Sequence, residues 1–142
     1  MILVDANILL YAENTADPQH TRARNWWLER ISGTDSIGLP WVVLSAFLRI
    51  GTSHRAFPRP LRLAEAADRI SEWVQRPNVH LLNPTADHWP IFRKLLIETN
   101  AAGNLVTDAH VAALAIEHGC ELYSADADFA RFPNLKWRNP LA

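Results

Sequence analysis

Cysteine is almost absent: Cys120 is the single one in 142 residues. One thiol cannot build an intrachain disulfide framework or a cysteine-based zinc site. That composition fits a reducing compartment, and a cytoplasmic location is expected. Glycine is sparse as well, at five residues, and no GxGxxG or other Gly-rich phosphate loop occurs. A dinucleotide-binding enzyme is therefore disfavoured. Ser45 lacks the Gly-x-Ser-x-Gly setting of a serine hydrolase. No apolar run is long enough to cross a bilayer, so no membrane role is expected. The opening residues Met1 to Val4 are apolar, but no Lys or Arg precedes them and Asp5 interrupts the run, unlike a signal peptide. Neither sign of charge dominates: 14 Lys and Arg stand against 15 Asp and Glu, a net charge of -1. A polyanion would have to be gripped by a local patch or through metal ions.

What is present is apolar patterning. With 49% hydrophobic residues the chain can bury a core, and one domain spanning residues 1–142 is expected. Ile2 to Asp5 reads as a strand buried on both faces. Asp17 and Pro18 read as the start of a helix running to Ile31. Ser36 to Leu39 reads as a second strand, Val79 to Leu82 as a third and Glu121 to Ser124 as a fourth. Helices are expected at Trp41–Thr52, Leu61–Gln75, Thr85–Glu98 and Asn104–His118. In the last, Leu105, Ala109, Ala112, Ala113 and Ile116 recur on one face, and Gly119 ends the element. Phe57-Pro58-Arg59-Pro60 reads as a loop. Strands alternating with helices imply an α/β fold: a three-layer α/β/α sandwich around a four- or five-stranded, mostly parallel sheet. Ligands of such sheets sit at the carboxyl ends of the strands.

Three acids stand where that rule points. Asp5 ends the first strand, Asp126 follows the fourth, and Asp108 lies in the first turns of the strongest helix. Taken singly, each has an ordinary reading as a turn or cap residue. Together they would repel, at about 4 Å and a dielectric near 20 by on the order of 4 kcal/mol per pair. Either a carboxyl keeps its proton or a cation joins them. An all-oxygen site suits Mg²⁺ or Mn²⁺, and an acid cluster without a nucleophile motif suggests metal-assisted phosphodiester hydrolysis.

At these residues the chain resembles the PIN-domain family, and within it the VapC-type toxins. Val4-Asp5-Ala6-Asn7-Ile8-Leu9-Leu10-Tyr11 is similar to the family's first motif. Gly103-Asn104-Leu105-Val106-Thr107-Asp108-Ala109-His110 is similar to its third-acid helix. Leu122-Tyr123-Ser124-Ala125-Asp126-Ala127-Asp128-Phe129 is similar to its closing motif, with Ser124 where Thr is common. The resemblance implies that Asp5 and Asp108 bind Mg²⁺ (or Mn²⁺), that Asp126 binds directly or through water, and that Asp128 supports them. Asn7 and Ser124 would orient carboxylates or water, with capping and turn formation as the competing role. It implies an endoribonuclease toxin acting on RNA, with tRNA and rRNA as candidate targets, a VapB-like antitoxin partner and a homodimer. One position departs: Ala46 stands where the family usually carries Glu, a few residues before Arg49. Arg49 would grip a phosphate or pair with an acid. The alternative function is a degenerate PIN domain that binds RNA or protein without catalysis. A phosphatase using Asp5 as nucleophile is a further rival, but Asn7 stands where such enzymes want a second Asp.

The six His include no close-spaced ligand pair such as HExxH. His54, Arg55, Arg59 and Arg62 form a loosely basic loop, solvated unless RNA phosphates meet it. The six Trp read mostly as core or interface anchors, with Trp41 and Trp89 the candidates for stacking on a base.

Overall fold

The computed structural model describes all residues, 1–142. Five strands form one sheet: β1 (Ile2–Val4), β2 (Ile37–Pro40), β3 (Val79–Leu82), β4 (Glu121–Tyr123) and β5 (Trp137–Arg138), in the order β3-β2-β1-β4-β5. Every pairing is parallel. Central β1 is buried at Leu3 and Val4, and all four residues of β2 are buried. This is what uninterrupted apolar runs without alternation require. Gly38 makes the β2–β3 pairing possible: a Cβ there would lie 2.5 Å from Leu82 Cδ1.

Six helices cover the sheet: α1 (Ala6–Glu13), α2 (His20–Ile31), α3 (Trp41–Gly51), α4 (Leu63–Val74), α5 (His88–Thr99) and α6 (Asn104–Glu117). α1 packs on α2 and α3, α3 on α4, and α5 on α6. The connections from β1 through β2 to β3 run one way across the sheet, and β4 to β5 runs the other. Right-handed crossovers then place the α1–α4 group and the α5–α6 pair on opposite faces. The direction reverses between β1 and β4, so a crevice opens at the carboxyl ends of those two strands.

The expected α/β architecture is therefore present, with five strands and no antiparallel member. Four details differ. α1 is an additional element, apolar on most sides, with Ala6, Ile8, Leu9, Leu10 and Ala12 buried. Such a short apolar stretch has no polar face to announce it. α2 begins at His20 rather than Pro18, because Asp17 Oδ1 accepts from the Gln19 amide at 2.8 Å and closes a turn first. α4 begins at Leu63, where Glu65 Oε1 reaches back to accept from the Arg62 amide at 3.2 Å and from Arg62 Nε at 3.0 Å. α6 is buried at Ala109 and throughout Val111–Ala115, so its middle is enclosed rather than amphipathic. Trp27 and Trp73 meet edge to face at 5.4 Å in the core, whereas Trp41 and Trp89 are exposed.

Candidate metal centre

Asp5 leaves β1 and becomes the N-cap of α1. Its Oδ1 accepts from the Ala6 amide at 2.8 Å. Its Oδ2 accepts from the Ser124 hydroxyl at 2.7 Å, across the crevice from β4. Ser124 is the one polar residue buried in its entirety, backbone and side chain together. Its Oγ also accepts from Asn7 Nδ2 at 3.0 Å and from the Asp126 amide at 3.1 Å. Asn7 Oδ1 accepts from the Ala125 amide at 3.2 Å, and the Trp137 indole donates to the Ser124 carbonyl at 3.0 Å. The ends of β1 and β4 are thus stitched together side chain by side chain.

Beyond this clamp lie the remaining acids. Asp126 caps the 3-10 turn Ala127–Arg131 by accepting from the Asp128 amide at 2.9 Å. That turn brings Asp126 and Asp128 to Asp108, and one carboxylate oxygen from each lies within 4.8 Å of the others. The tightest group is therefore Asp108, Asp126 and Asp128. Asp5 stands beside it with both oxygens already engaged.

Electrostatics records the crowding. Asp108 is pushed up to about 6, first by burial and then by the charges of Asp126, Asp5 and Asp128. Burial also raises Asp5, opposed by the hydrogen bonds from Ser124 and Ala6. None of the four acids has a Lys, Arg or His partner within 4.0 Å. The arrangement is an all-oxygen concentration of negative charge without a countercharge, which suits a divalent cation.

Ala46 is half-buried and packs against the core. Arg49 is exposed and makes no ion pair with any acid; it lines a hollow with Arg55 instead. A second polar group lies elsewhere. His88 Nδ1 meets Glu117 Oε1 at 3.0 Å, and His88 Nε2 meets His110 Nδ1 at 2.9 Å, between α5 and α6. One sequence signal points to it: His110 and Glu117 are two helical turns apart and share a face.

The PIN-domain family model matches residues 2–135. The chain belongs to the PIN-domain family. Within this family it is 45% identical to Ribonuclease VapC33 of Mycobacterium tuberculosis over 141 residues, covering 99% of each chain. Among solved folds it is similar to VapC20 of M. tuberculosis, described as a sarcin-ricin loop cleaving toxin. That TM-score is 0.69 at 22% identity, covering 96% of this chain and 99% of the other. It is also similar to a chain of VapBC2 from Rickettsia felis, bound to a DNA fragment from its promoter. That TM-score is 0.67 at 21% identity, with 98% of each chain covered. The family match spans Asp5, Asp108, Asp126 and Asp128.

Proposed function

We infer that this PIN domain is a metal-dependent endoribonuclease, the toxin of a toxin–antitoxin pair. The observation that carries the reading is the cluster of Asp108, Asp126 and Asp128 beside Asp5, with no cation of the protein's own to balance it. Carboxylate oxygens alone, without nitrogen or sulfur, fit Mg²⁺ or Mn²⁺. Asp108 and Asp126 would hold the ion, with Asp5 and Asp128 completing the negative site directly or through water. When bound, such an ion supplies a water of lowered pKa and neutralises charge on the phosphoryl oxygens of an RNA phosphodiester. Ser124 fixes the Asp5 carboxylate by donating to Oδ2, and Asn7 keeps the Ser124 hydroxyl turned that way by donating to its oxygen. The backbone cap on Asp126 holds the 3-10 turn that presents Asp128.

The same uncompensated charge suits inhibition. A VapB-like antitoxin could place an Arg guanidinium against the acids, bidentate on two carboxylates. Exposed Trp89 and Ile97 on α5 and Val106 on α6 support a homodimer, since a second copy would cover them. RNA as substrate places the activity in the cytoplasm. A non-catalytic role resting on Ala46 is not favoured, because four acids still surround the crevice. The test is cleavage of RNA with Mg²⁺ by the native protein, Asp5→Ala and Asp108→Ala. Cleavage by the native chain alone supports the reading; equal cleavage by all three refutes it.

A further inference from the structure

The acid centre does not stand alone on its surface. A cavity of about 210 Å³ opens beside it, between α1, the turn before α2 and the loop after α3. Asn7, which holds Ser124, is part of its wall. Asn14 and Asp17 are its other polar wall residues, and the rest are apolar or aromatic, chiefly Tyr11 and Phe57. Ile50 and Ala56 close the far side and also wall a second hollow of about 320 Å³, where Arg49, Ser53 and Arg55 gather. From the acids outward the order is thus catalytic centre, apolar cavity, basic hollow. A single strand of nucleic acid has this alternation of phosphate, ring and phosphate.

The polar groups of the cavity are few and specific. Asn14 uses its Oδ1 to accept from the Ala16 amide at 3.2 Å, and its amide NH₂ makes no hydrogen bond. Asp17 uses Oδ1 on the Gln19 amide at 2.8 Å, and its Oδ2 makes none. Two residues of its wall thus carry one uncommitted donor, Asn14 Nδ2, and one uncommitted anionic acceptor, Asp17 Oδ2. The cavity is smaller than the roughly 300–1,000 Å³ of drug-sized sites, a size for one ring system.

We propose that this cavity takes a guanine base of single-stranded RNA next to the cleaved phosphodiester, and that Arg49 and Arg55 hold the neighbouring backbone phosphate. Guanine's pairing edge carries two adjacent N–H donors and one carbonyl acceptor. The Asp17 carboxylate answers the donors and the Asn14 amide answers the carbonyl. Adenine and cytosine each present an acceptor where the carboxylate needs a donor, and uracil lacks the second donor. Tyr11 supplies the aromatic surface on which an unstacked base of a loop is held. The basic hollow contributes affinity without reading sequence.

The proposal rests on the endoribonuclease reading, so base preference is measured first without cleavage. Asp108→Asn protein is titrated with fluorescent uridine hexamers carrying one central G, A, C or U. The G hexamer should bind about tenfold more tightly than the others, about 1.4 kcal/mol and within the range of a specific polar contact to a base edge. Adding Asp17→Asn, which keeps the Oδ1 cap, should abolish that preference, read as the ratio of G-hexamer to all-U-hexamer affinity. Asn14→Asp is the second variant; it also keeps its cap, and it should lose G binding through repulsion of the guanine carbonyl. Arg55→Gln should weaken all four hexamers equally and lower the salt slope by about one unit. Equal binding of the four hexamers, or a preference that survives both substitutions in folded protein, overturns the proposal. The native chain is then assayed for cleavage of the same hexamers. Cleavage without base preference would refute the guanine pocket and leave the nuclease reading standing. Guanine binding without cleavage of any RNA would leave the pocket standing and refute the nuclease reading.

Discussion

Helix α6 carries two polar clusters that are near opposites. Asp108 faces the crevice with Asp126 and Asp128, all of one sign and none paired with a base. His110, two residues on, belongs to a cluster in which every charge is answered. Glu117, with a side chain 1% exposed, accepts from His88 and from the Thr85 hydroxyl at 3.3 Å, and His88 meets His110. With Glu117 ionised, His88 donates from Nδ1. A neutral His110, whose pKa is pushed down first by burial and then by His88, donates from Nδ1 to His88 Nε2. The difference separates stability from function. A satisfied buried network holds two helices together, whereas an unsatisfied like-charged one stores a demand that only a ligand relieves.

The largest expected effects come from breaking each cluster in turn. Asp108→Asn should lower cleavage by on the order of 10²-fold or more, since it removes charge stabilisation where the reaction needs it. The metal-free variant should be no less stable than the native chain. Glu117→Ala should do the reverse. It orphans His88 and should cost about 1–3 kcal/mol in urea unfolding, with cleavage per folded molecule little changed.

A pH series sharpens the contrast. Asp108 is near 6 when folded, against an ordinary value of 3.8. Between those values the folded chain keeps a proton that the unfolded chain releases, so this contribution to stability falls as pH rises. His110, with its lowered pKa, works in the opposite sense, losing stability as the solution is acidified. Subtracting the Asp108→Asn profile isolates the acid. Native and variant melting points should agree near pH 4. The variant should lead by on the order of a few degrees at pH 7.5 without divalent ions. Mg²⁺ at pH 7.5 should close that gap by raising the native protein.

Smaller effects test the clamp and the missing acid. Ser124→Ala strips Asn7 Nδ2 and the Asp126 amide of their acceptor and Asp5 of its donor. It should cost about 1–3 kcal/mol and lower the affinity for Mg²⁺, read by denaturation and metal titration. Ala46→Glu should change cleavage less than tenfold, because the native acids already form a site. A large gain would instead favour a degenerate PIN domain.

Much of this was legible in the residues. Strands show as the apolar runs Ile2–Val4, which is central and buried, and Val79–Leu82, which is at the sheet edge with His80 and Leu81 exposed, and the acids stand directly after strands or in the first turns of a helix, where the α/β rule puts ligands. Other features depended on tertiary placement. α1 has no polar face, so its apolar run carries no helical period. The resemblance implies a supporting role for Asp128, and only the 3-10 turn shows how near it comes to Asp108. The His88–Glu117 contact joins residues 29 apart, which no local spacing reveals. Arg49 reads equally well as an acid partner or a phosphate contact in one dimension; in space it stands with Arg55.

The most direct measurement is calorimetric titration of the metal-free protein with Mn²⁺ and Mg²⁺ near neutral pH. Saturable uptake that Asp108→Asn and Asp126→Asn each weaken at least tenfold is the outcome predicted here. No uptake, or uptake indifferent to both substitutions, would contradict a cation-relieved acid cluster at the β1–β4 crevice.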